Sequence, residues 1–223
     1  MSARDDILRA VRDARLETFG TSAFPLPDVR QPFPRGDESN DVLLARFVAA
    51  AEGAAARVVR GRRGELAAIV AAAGAGASET GESQGVSPFA RDHRQPQHRA
   101  GSCLSMVAGV AGNVELPDDP HALARLDVLV CEGTVGVAEN GGIWLSASQL
   151  GERAALVLAR HVVVVLPRST IVADQHAAYA AIDVDADAFG VFLAGPSKTA
   201  DIEQSLVIGA HGATAVTVVL LDE

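Results

Sequence analysis

The sequence predicts an α/β fold with a mostly parallel, open sheet that is flanked by helices and preceded by an N-terminal helical arm. Two continuous, β-branched apolar runs, at residues 126–133 and 161–167, are typical of strands buried on both faces of a parallel sheet. Strands and helical segments alternate in the second half of the chain, which implies right-handed crossovers. Since 223 residues suit one core, we expect a single α/β domain over residues 1–223.

The first 40 residues predict a helix followed by an extended arm. Ile7, Leu8 and Val11 recur at helical spacing among charged residues, so residues 3–19 predict an amphipathic helix that ends at Gly20. Residues 21–40 are too rich in proline for a helix or a central strand. We therefore expect residues 1–40 to form a helix and a proline-rich arm.

Two helices and an irregular loop follow the arm. Asn40 can cap a helix over residues 41–59, and residues 64–77 predict a shorter helix. Residues 78–102 are rich in Gly, Ser, Gln, Arg and His and show no periodicity. This composition predicts an irregular loop.

The second half alternates between the two element types. Beyond the two buried strands, residues 142–148 predict a hairpin strand and residues 171–182 a helix. Residues 189–195 and 216–223 predict further strands. Between these two strands we expect a helix that begins near Ala200 and stops at Gly212.

Charge and cysteine usage exclude several classes of protein. The formal net charge of -9 supplies no basic stripe for phosphates, so nucleic acid is not an expected partner. No apolar run reaches the roughly 20 residues of a membrane span, and the N-terminus does not resemble a signal peptide, so we expect a cytoplasmic protein. Cys103 and Cys131 are far apart, whereas a metal or iron–sulfur site needs about four ligands; we expect no metal site.

The stretch "GPSKTADIEQSLVIGAHG", residues 195–212, is the first candidate site. As part of a helix start, Thr199 would cap the first N–H groups, and Asp201 and Glu203 would complement the helix dipole. As a ligand site at the carboxyl end of a strand, Ser197, Lys198 and Thr199 would suit a phosphate or a carboxylate. Both interpretations remain open on the sequence.

The second candidate is "EGTVGVAENGGIWLSAS", residues 132–148. Its glycines, Gly136 among them, allow sharp bends or a close approach to a ligand, and Glu139 and Asn140 lie between them. A carboxylate presented on a glycine turn can serve as a nucleophile or general base. Alternatively, "ENGG" is only a hairpin turn, since Asn-Gly is a strong hairpin signal.

The segments "GPSKTADIEQSLVIGAHG", "VTVVLLD", "VGVAENGGIWLS" and "HVVVVLPRSTIV" together resemble the LUD-domain family, in particular its lactate-utilisation protein C branch. The resemblance covers residues 126–223 closely and is weaker before them. It implies a fold similar to the sugar-phosphate isomerase, CoA-transferase and formyltetrahydrofolate cyclo-ligase group. It also implies an accessory role in bacterial oxidation of L-lactate to pyruvate.

The resemblance further implies partners and a site. Iron–sulfur clusters are expected on two partner proteins, with no cofactor in this chain. Glu139 and the turn from Gly195 to Asp201 are expected to line the carboxyl edge of the sheet, and Gly136, Asn140 and Glu203 are further candidate ligand-binding residues. The expected ligand is a small organic acid or a phosphate-bearing molecule.

Two other interpretations stay open. Because "ENG" resembles the nucleophile turn of some CoA-transferases, the chain could be an enzyme that uses Glu139. It could also be a non-catalytic structural partner. A homodimer, in which the proline-rich arm crosses a second copy, is compatible with the sequence.

Overall fold

The computed structural model describes residues 39–76, 101–200, 206–209 and 211–222, together with Arg4, Ile7, Arg9 and Ala10. The chain divides into two units, Met1–Asp37 and Glu38–Glu223. The four described residues of the first unit are helical, in agreement with the predicted N-terminal helix. The remainder of that helix, nearly all of the proline-rich arm and residues 78–100 of the predicted loop lie outside the described residues.

The second unit contains helices, strands and short 3-10 turns. The helices are α1 (Asn40–Gly53), α2 (Leu66–Gly76), α3 (Ala147–Leu150), α4 (Arg153–Leu158) and α5 (Gln175–Ala181). The strands are β1 (Arg57–Arg62), β2 (Cys103–Ser105), β3 (Val128–Glu132), β4 (Gly136–Val137), β5 (Ile143–Ser146), β6 (His161–Pro167), β7 (Ile171–Val172), β8 (Gly190–Leu193), β9 (Lys198–Ala200), β10 (Leu206–Ile208) and β11 (Ala215–Asp222).

Five strands form an all-parallel sheet in the order β1-β11-β6-β3-β2. The central strand β6 is buried from His161 to Leu166. Because successive side chains of a strand point to opposite faces, Val162 and Val164 join one apolar cluster and Val163 and Val165 join the other. The predicted fold class, an α/β protein with a mostly parallel sheet, is confirmed.

Each face of this sheet is covered by a helix. Helix α1 packs Leu44, Phe47 and Ala51 into the cluster that contains Val162 and Val164. Helix α2 packs Leu66, Val70 and Ala73 into the cluster on the opposite face. Full burial of one such aliphatic or aromatic side chain contributes roughly 1.5–3 kcal/mol. The two helices therefore bind to opposite faces mainly through apolar burial.

A second, mixed sheet has the order β7-β4-β5-β8. Strands β4 and β5 form a hairpin, with Gly136 paired to Ile143. The hairpin strand predicted over residues 142–148 is present as β5 but ends at Ser146, where α3 follows. Strand β8 adds antiparallel to β5, so that Leu193 faces Ile143. This arrangement places the turn between β4 and β5 beside the segment that follows β8.

Two of the predicted helices are wrong in part. The helix expected from Ala200 to Gly212 is replaced, over the described residues, by the antiparallel ribbon of β9 and β10, in which Val207 faces Thr199. Thr199 is therefore a strand residue and not a helix cap. The helix expected over residues 41–59 ends at Gly53, because Ala55 has a φ of 67° and residues from Arg57 onward pair with β11.

Candidate functional site

The hairpin of β4 and β5 carries one of the two groups of predicted site residues. Gly136 lies in β4, buried, and the side-chain oxygen of Asn140 accepts a hydrogen bond from the N–H of Gly142 at 2.9 Å. Gly141 has a φ of 71°, and a Cβ atom there would lie 2.6 Å from the backbone nitrogen of Ala51. Only glycine fits this position without strain, because the turn packs directly on the last turn of α1.

The exposed side chains of Glu139 and Asn140 reach the start of α5. Glu139 Oε2 accepts a hydrogen bond from the N–H of Gln175 at 3.2 Å, and Asn140 Nδ2 donates to Gln175 Oε1 at 3.2 Å. The N–H groups in the first turn of a helix lack partners within the helix. Glu139 thus satisfies one of them, next to Asp174, which accepts from Ala177. This contact gives Glu139 a structural role at the turn.

The segment after β8 carries the second group. Gly195 is buried with a φ of 70°, and a Cβ atom there would overlap the carbonyl oxygen of Ala54. Ser197 donates its N–H to Ala213 O at 2.9 Å and accepts from Gly209 N at 2.9 Å. Lys198 Nζ donates to Ala54 O. Hence the backbone N–H of Ser197 and the ammonium group of Lys198, two donors that an anion site could use, donate within the protein.

The two predicted segments meet at the C-terminal end of α1. Gly141 contacts Ala50 and Ala51, while Gly195 and Lys198 contact Ala54 directly after the helix. The carbonyl groups at a helix C-terminus carry partial negative charge, which favours the Lys198 ammonium there. Both segments therefore contact the same end of α1, and Asp201 and Glu203 lie outside the described residues.

The location of this meeting point differs from the expectation. Ala54 precedes the first residue of β1 by three positions, and Ala213, the partner of Ser197, precedes β11 by two. These contacts put the 195–198 segment beside the amino ends of the five parallel strands. It follows the carboxyl end of β8, but β8 belongs to the mixed sheet. The sequence could not reveal which of two sheets a short strand joins.

The carboxyl edge of the parallel sheet holds a different group of polar residues. Arg168 Nη1 lies 3.1 Å from Asp222 Oδ1, directly after β6 and at the end of β11. A cleft beside this pair is lined by Asn40, Asp41, Leu44, Arg168, Ser169 and Asp222. Sequence reasoning did not select these residues. Their position in the sequence could have indicated them, because Arg168 and Asp222 each lie at the C-terminal end of a buried apolar run.

A buried histidine lies at the amino end of β6. His161 Nε2 is 2.9 Å from Thr217 Oγ1, and Nδ1 is buried with no hydrogen-bond partner among the described residues. Burial lowers the pKa of His161, and the positive charge of Arg57 lowers it further. A lowered pKa keeps the imidazole neutral inside the sheet.

Neither cysteine has the environment of a reactive thiol. Cys131 is fully buried in β3, and burial together with the Glu132 charge raises its pKa to about 12. Burial also raises the pKa of Cys103. Among the residues that the structure describes, no three His, Cys, Asp or Glu side chains are grouped so that they could hold a metal ion. In the same residues, no helix has the length and apolar character needed to cross a membrane.

Known structures support the fold. A crystal structure of a DUF162 family protein from Deinococcus radiodurans superimposes with a TM-score of 0.55 and 17% sequence identity. The match covers 83% of this chain and 99% of that protein. At this identity the likeness concerns the fold alone.

Curated relatives match part of the chain. Lactate utilization protein C of Shouchella clausii is 30% identical over 102 residues, and that of Bacillus pumilus is 34% identical over 93 residues. The first match covers 44% of each protein and the second 39% of each, so the chain spans less than half the length of these relatives in the matches. Residues 120–221 match the LUD domain. This segment therefore belongs to the LUD domain family, which confirms the resemblance that its motifs indicate.

Proposed function

We propose that the chain takes part in bacterial lactate utilisation as an accessory component of the electron-transfer system that oxidises L-lactate to pyruvate. The LUD domain at residues 120–221 and the similarity to proteins named Lactate utilization protein C support this role. The observation that carries the proposal is the match of residues 120–221 to the LUD domain.

The redox groups of this system are assigned to partner proteins. The chain has two cysteines, whereas an iron–sulfur cluster is held by about four thiolates. We therefore expect the protein to act together with iron–sulfur lactate-utilisation proteins that hold the clusters. Affinity purification of the chromosomally tagged chain from cells grown on L-lactate should co-purify proteins with iron–sulfur absorbance.

Gene deletion tests the physiological role. A deletion strain should lose growth on L-lactate as sole carbon source and keep growth on pyruvate, because only the oxidation step is missing. The wild-type gene supplied in trans should restore growth. Unchanged growth of the deletion strain on L-lactate would contradict the proposal.

A CoA-transferase-like activity is the second candidate, and the exposed carboxylate of Glu139 on its glycine turn favours it. In such a reaction the carboxylate attacks the acyl-CoA carbonyl, and the CoA thiolate leaves. That thiolate then attacks the Glu139 carbonyl of the resulting anhydride, which forms a glutamyl thioester and releases the carboxylic acid. Incubation with a panel of acyl-CoA compounds, followed by peptide mass spectrometry, should find the thioester at Glu139; no adduct from any compound would remove this candidate.

The third candidate is a structural partner without a ligand. In that case Glu139, Ser197 and Asp201 would serve only local hydrogen bonding. Separate substitution of these residues should then lower stability in proportion to the lost contacts without abolishing growth on L-lactate. Loss of growth at unchanged stability would instead indicate a ligand or partner site that includes Gly136, Asn140 and the 195–203 segment.

A further inference from the structure

The cleft at the carboxyl edge of the parallel sheet lies between two strands, β1 and β6, whose following connections go to opposite faces of the sheet. After β1 the chain passes to the face covered by α2, while after β6 it passes to the face of α1, where Ile171 joins the same cluster as Leu44. Strand β11 lies between them and ends at Asp222. In open α/β sheets, a crevice forms at such a point, and ligands bind there outside the carboxyl ends of the strands.

The cleft has the size of a site for a small molecule. Its volume is about 330 Å³, near the lower end of the range that binding sites for small ligands occupy. Asn40, Asp41 and Leu44 come from the first turns of α1, and Arg168 and Ser169 follow β6. The walls thus combine hydrogen-bonding groups, charges of both signs and one apolar side chain.

The ion pair in the cleft defines its recognition chemistry. Asp222 contacts Arg168 at 3.1 Å, yet the two side chains remain 41% and 48% exposed, so a ligand can reach both. A guanidinium group has five N–H donors in a fixed plane and pairs well with a carboxylate. The carboxylates of Asp41 and Asp222 accept hydrogen bonds from hydroxyl or ammonium groups. The side chain of Leu44 suits a short alkyl substituent.

We propose that this cleft binds a small 2-substituted carboxylic acid. The ligand carboxylate pairs with Arg168, and its 2-hydroxyl or 2-ammonium group donates to Asp41 or Asp222. This site is separate from the Glu139 turn and is inferred from the cleft itself. Only the choice of L-lactate as a probe rests on the proposed function.

Calorimetry with the purified full-length chain tests the proposal. L-lactate and L-alanine carry the two alternative donors, and propionate lacks both. One of the first two acids should bind at least about tenfold more tightly than propionate, since a hydrogen bond to a charged group contributes about that factor or more. Failure of both acids to bind, or equal binding of propionate, would overturn the proposal.

Matched variants locate the binding site. Arg168→Gln should weaken binding of the acid by about tenfold or more, and Arg168→Lys should retain part of it. Arg125→Gln is the control, because Arg125 is exposed and lies just before β3, at the opposite edge of the sheet. An equal effect of Arg168→Gln and Arg125→Gln, or no effect of either, would contradict the assignment.

Nuclear magnetic resonance of the wild-type protein gives a readout that does not depend on the folding of a variant. Stepwise addition of the acid that binds should shift the amide signals of Ser169 and Asp222 and leave the amide signal of His161 unchanged. Shifts confined to the neighbourhood of His161 or Glu139 would refute this location. Because binding is measured on purified protein, a negative result leaves the growth experiment unaffected, and the reverse also holds.

Discussion

Single residues in this protein owe their properties to contacts with distant parts of the chain. Glu139 bonds to the N–H of Gln175, 36 positions away, and His161 bonds to Thr217, 56 positions away. Glutamate and histidine are side chains that often serve as catalytic groups. Their hydrogen bonds instead give each of them a measurable role in stability.

Substitution of Glu139 separates structure from function. Glu139→Ala removes the acceptor for the Gln175 N–H and should lower the free energy of unfolding by about 1 kcal/mol, the usual effect of a lost helix cap. Glu139→Gln keeps an oxygen acceptor and should cost less. Urea unfolding of both variants provides the measurement.

Glu152 supplies the control, because its Oε1 accepts a hydrogen bond from the N–H of Ala154 at the start of α4. Glu152→Gln should leave growth on L-lactate unchanged. If Glu139→Gln is equally stable but fails to restore growth of the deletion strain, its carboxylate has a role beyond capping. Normal growth with Glu139→Gln would restrict Glu139 to its structural contact.

The lowered pKa of His161 predicts that the stability of the protein depends on pH. Its pKa is lowered in the folded state by burial and by the charge of Arg57, whereas an unfolded histidine has a pKa of about 6.5. Below this pH the unfolded chain binds more protons, so the free energy of unfolding decreases as the pH falls from about 6.5 toward the folded pKa. The decrease should appear in urea unfolding series between pH 7 and pH 5.

A histidine variant isolates this contribution. His161→Gln should flatten the dependence on pH, although it lowers stability at neutral pH. His211 is exposed, and His211→Gln serves as the control that retains the wild-type slope. An unchanged slope in His161→Gln would show that other groups dominate acid unfolding.

At the scale of elements, the end of α1 organises two turns. The turn between β4 and β5 and the segment after β8 both approach its backbone more closely than a side chain would allow. Glycine at residues 141 and 195 permits both the positive φ and the close contact. The packing of these turns on α1 therefore depends on the absence of a Cβ atom.

Gly195→Ala tests this packing. The alanine would have to adopt a φ of 70°, and its methyl group would overlap the Ala54 carbonyl oxygen. The free energy of unfolding should therefore fall by about 1–3 kcal/mol or more. Gly53→Ala is the matched control, since no atom lies within 4 Å of its added Cβ. Thermal and urea unfolding of the two variants should differ clearly; similar stability would mean that the segment moves away at little cost.

At the scale of the molecule, stability should concentrate in the parallel sheet. Strand β6 is flanked by β11 and β3 and is buried along almost its whole length, whereas β9 and β10 form a separate two-stranded ribbon. A two-stranded ribbon has little stability of its own. The molecule thus combines a stable sheet with a weakly supported ribbon next to the predicted site.

Amide hydrogen exchange measures this difference. Amides of Val162 to Leu166 should exchange only by global unfolding, and those of β9 and β10 should exchange much faster through local opening. Mass spectrometry of peptides from both regions provides the comparison. Equal protection of the ribbon and the central strand would indicate that a contact outside the ribbon stabilises it.

The sequence by itself determined the buried strands and the similarity of its second half to the LUD domain. Continuous runs such as residues 161–167 predict a strand correctly because burial on both faces requires apolar side chains at every position. The ordered motifs of the second half similarly identified the LUD domain. The structure contains a hairpin at the glycine turn, which is one of the two interpretations of the "ENGG" stretch, since Asn-Gly favours a hairpin locally.

Only the tertiary structure decided the pairing of β9 with β10, the edge at which Ser197 lies and the residues that line the carboxyl-edge cleft. At Ala200 and at residues 206–208, strand pairing replaces the predicted helix, as Leu206 faces Ala200. The cleft joins Asn40, Arg168 and Asp222, which are separated by more than fifty positions in each case. Local patterns carry no information about such neighbours, because those contacts form only when distant segments pack on the same sheet.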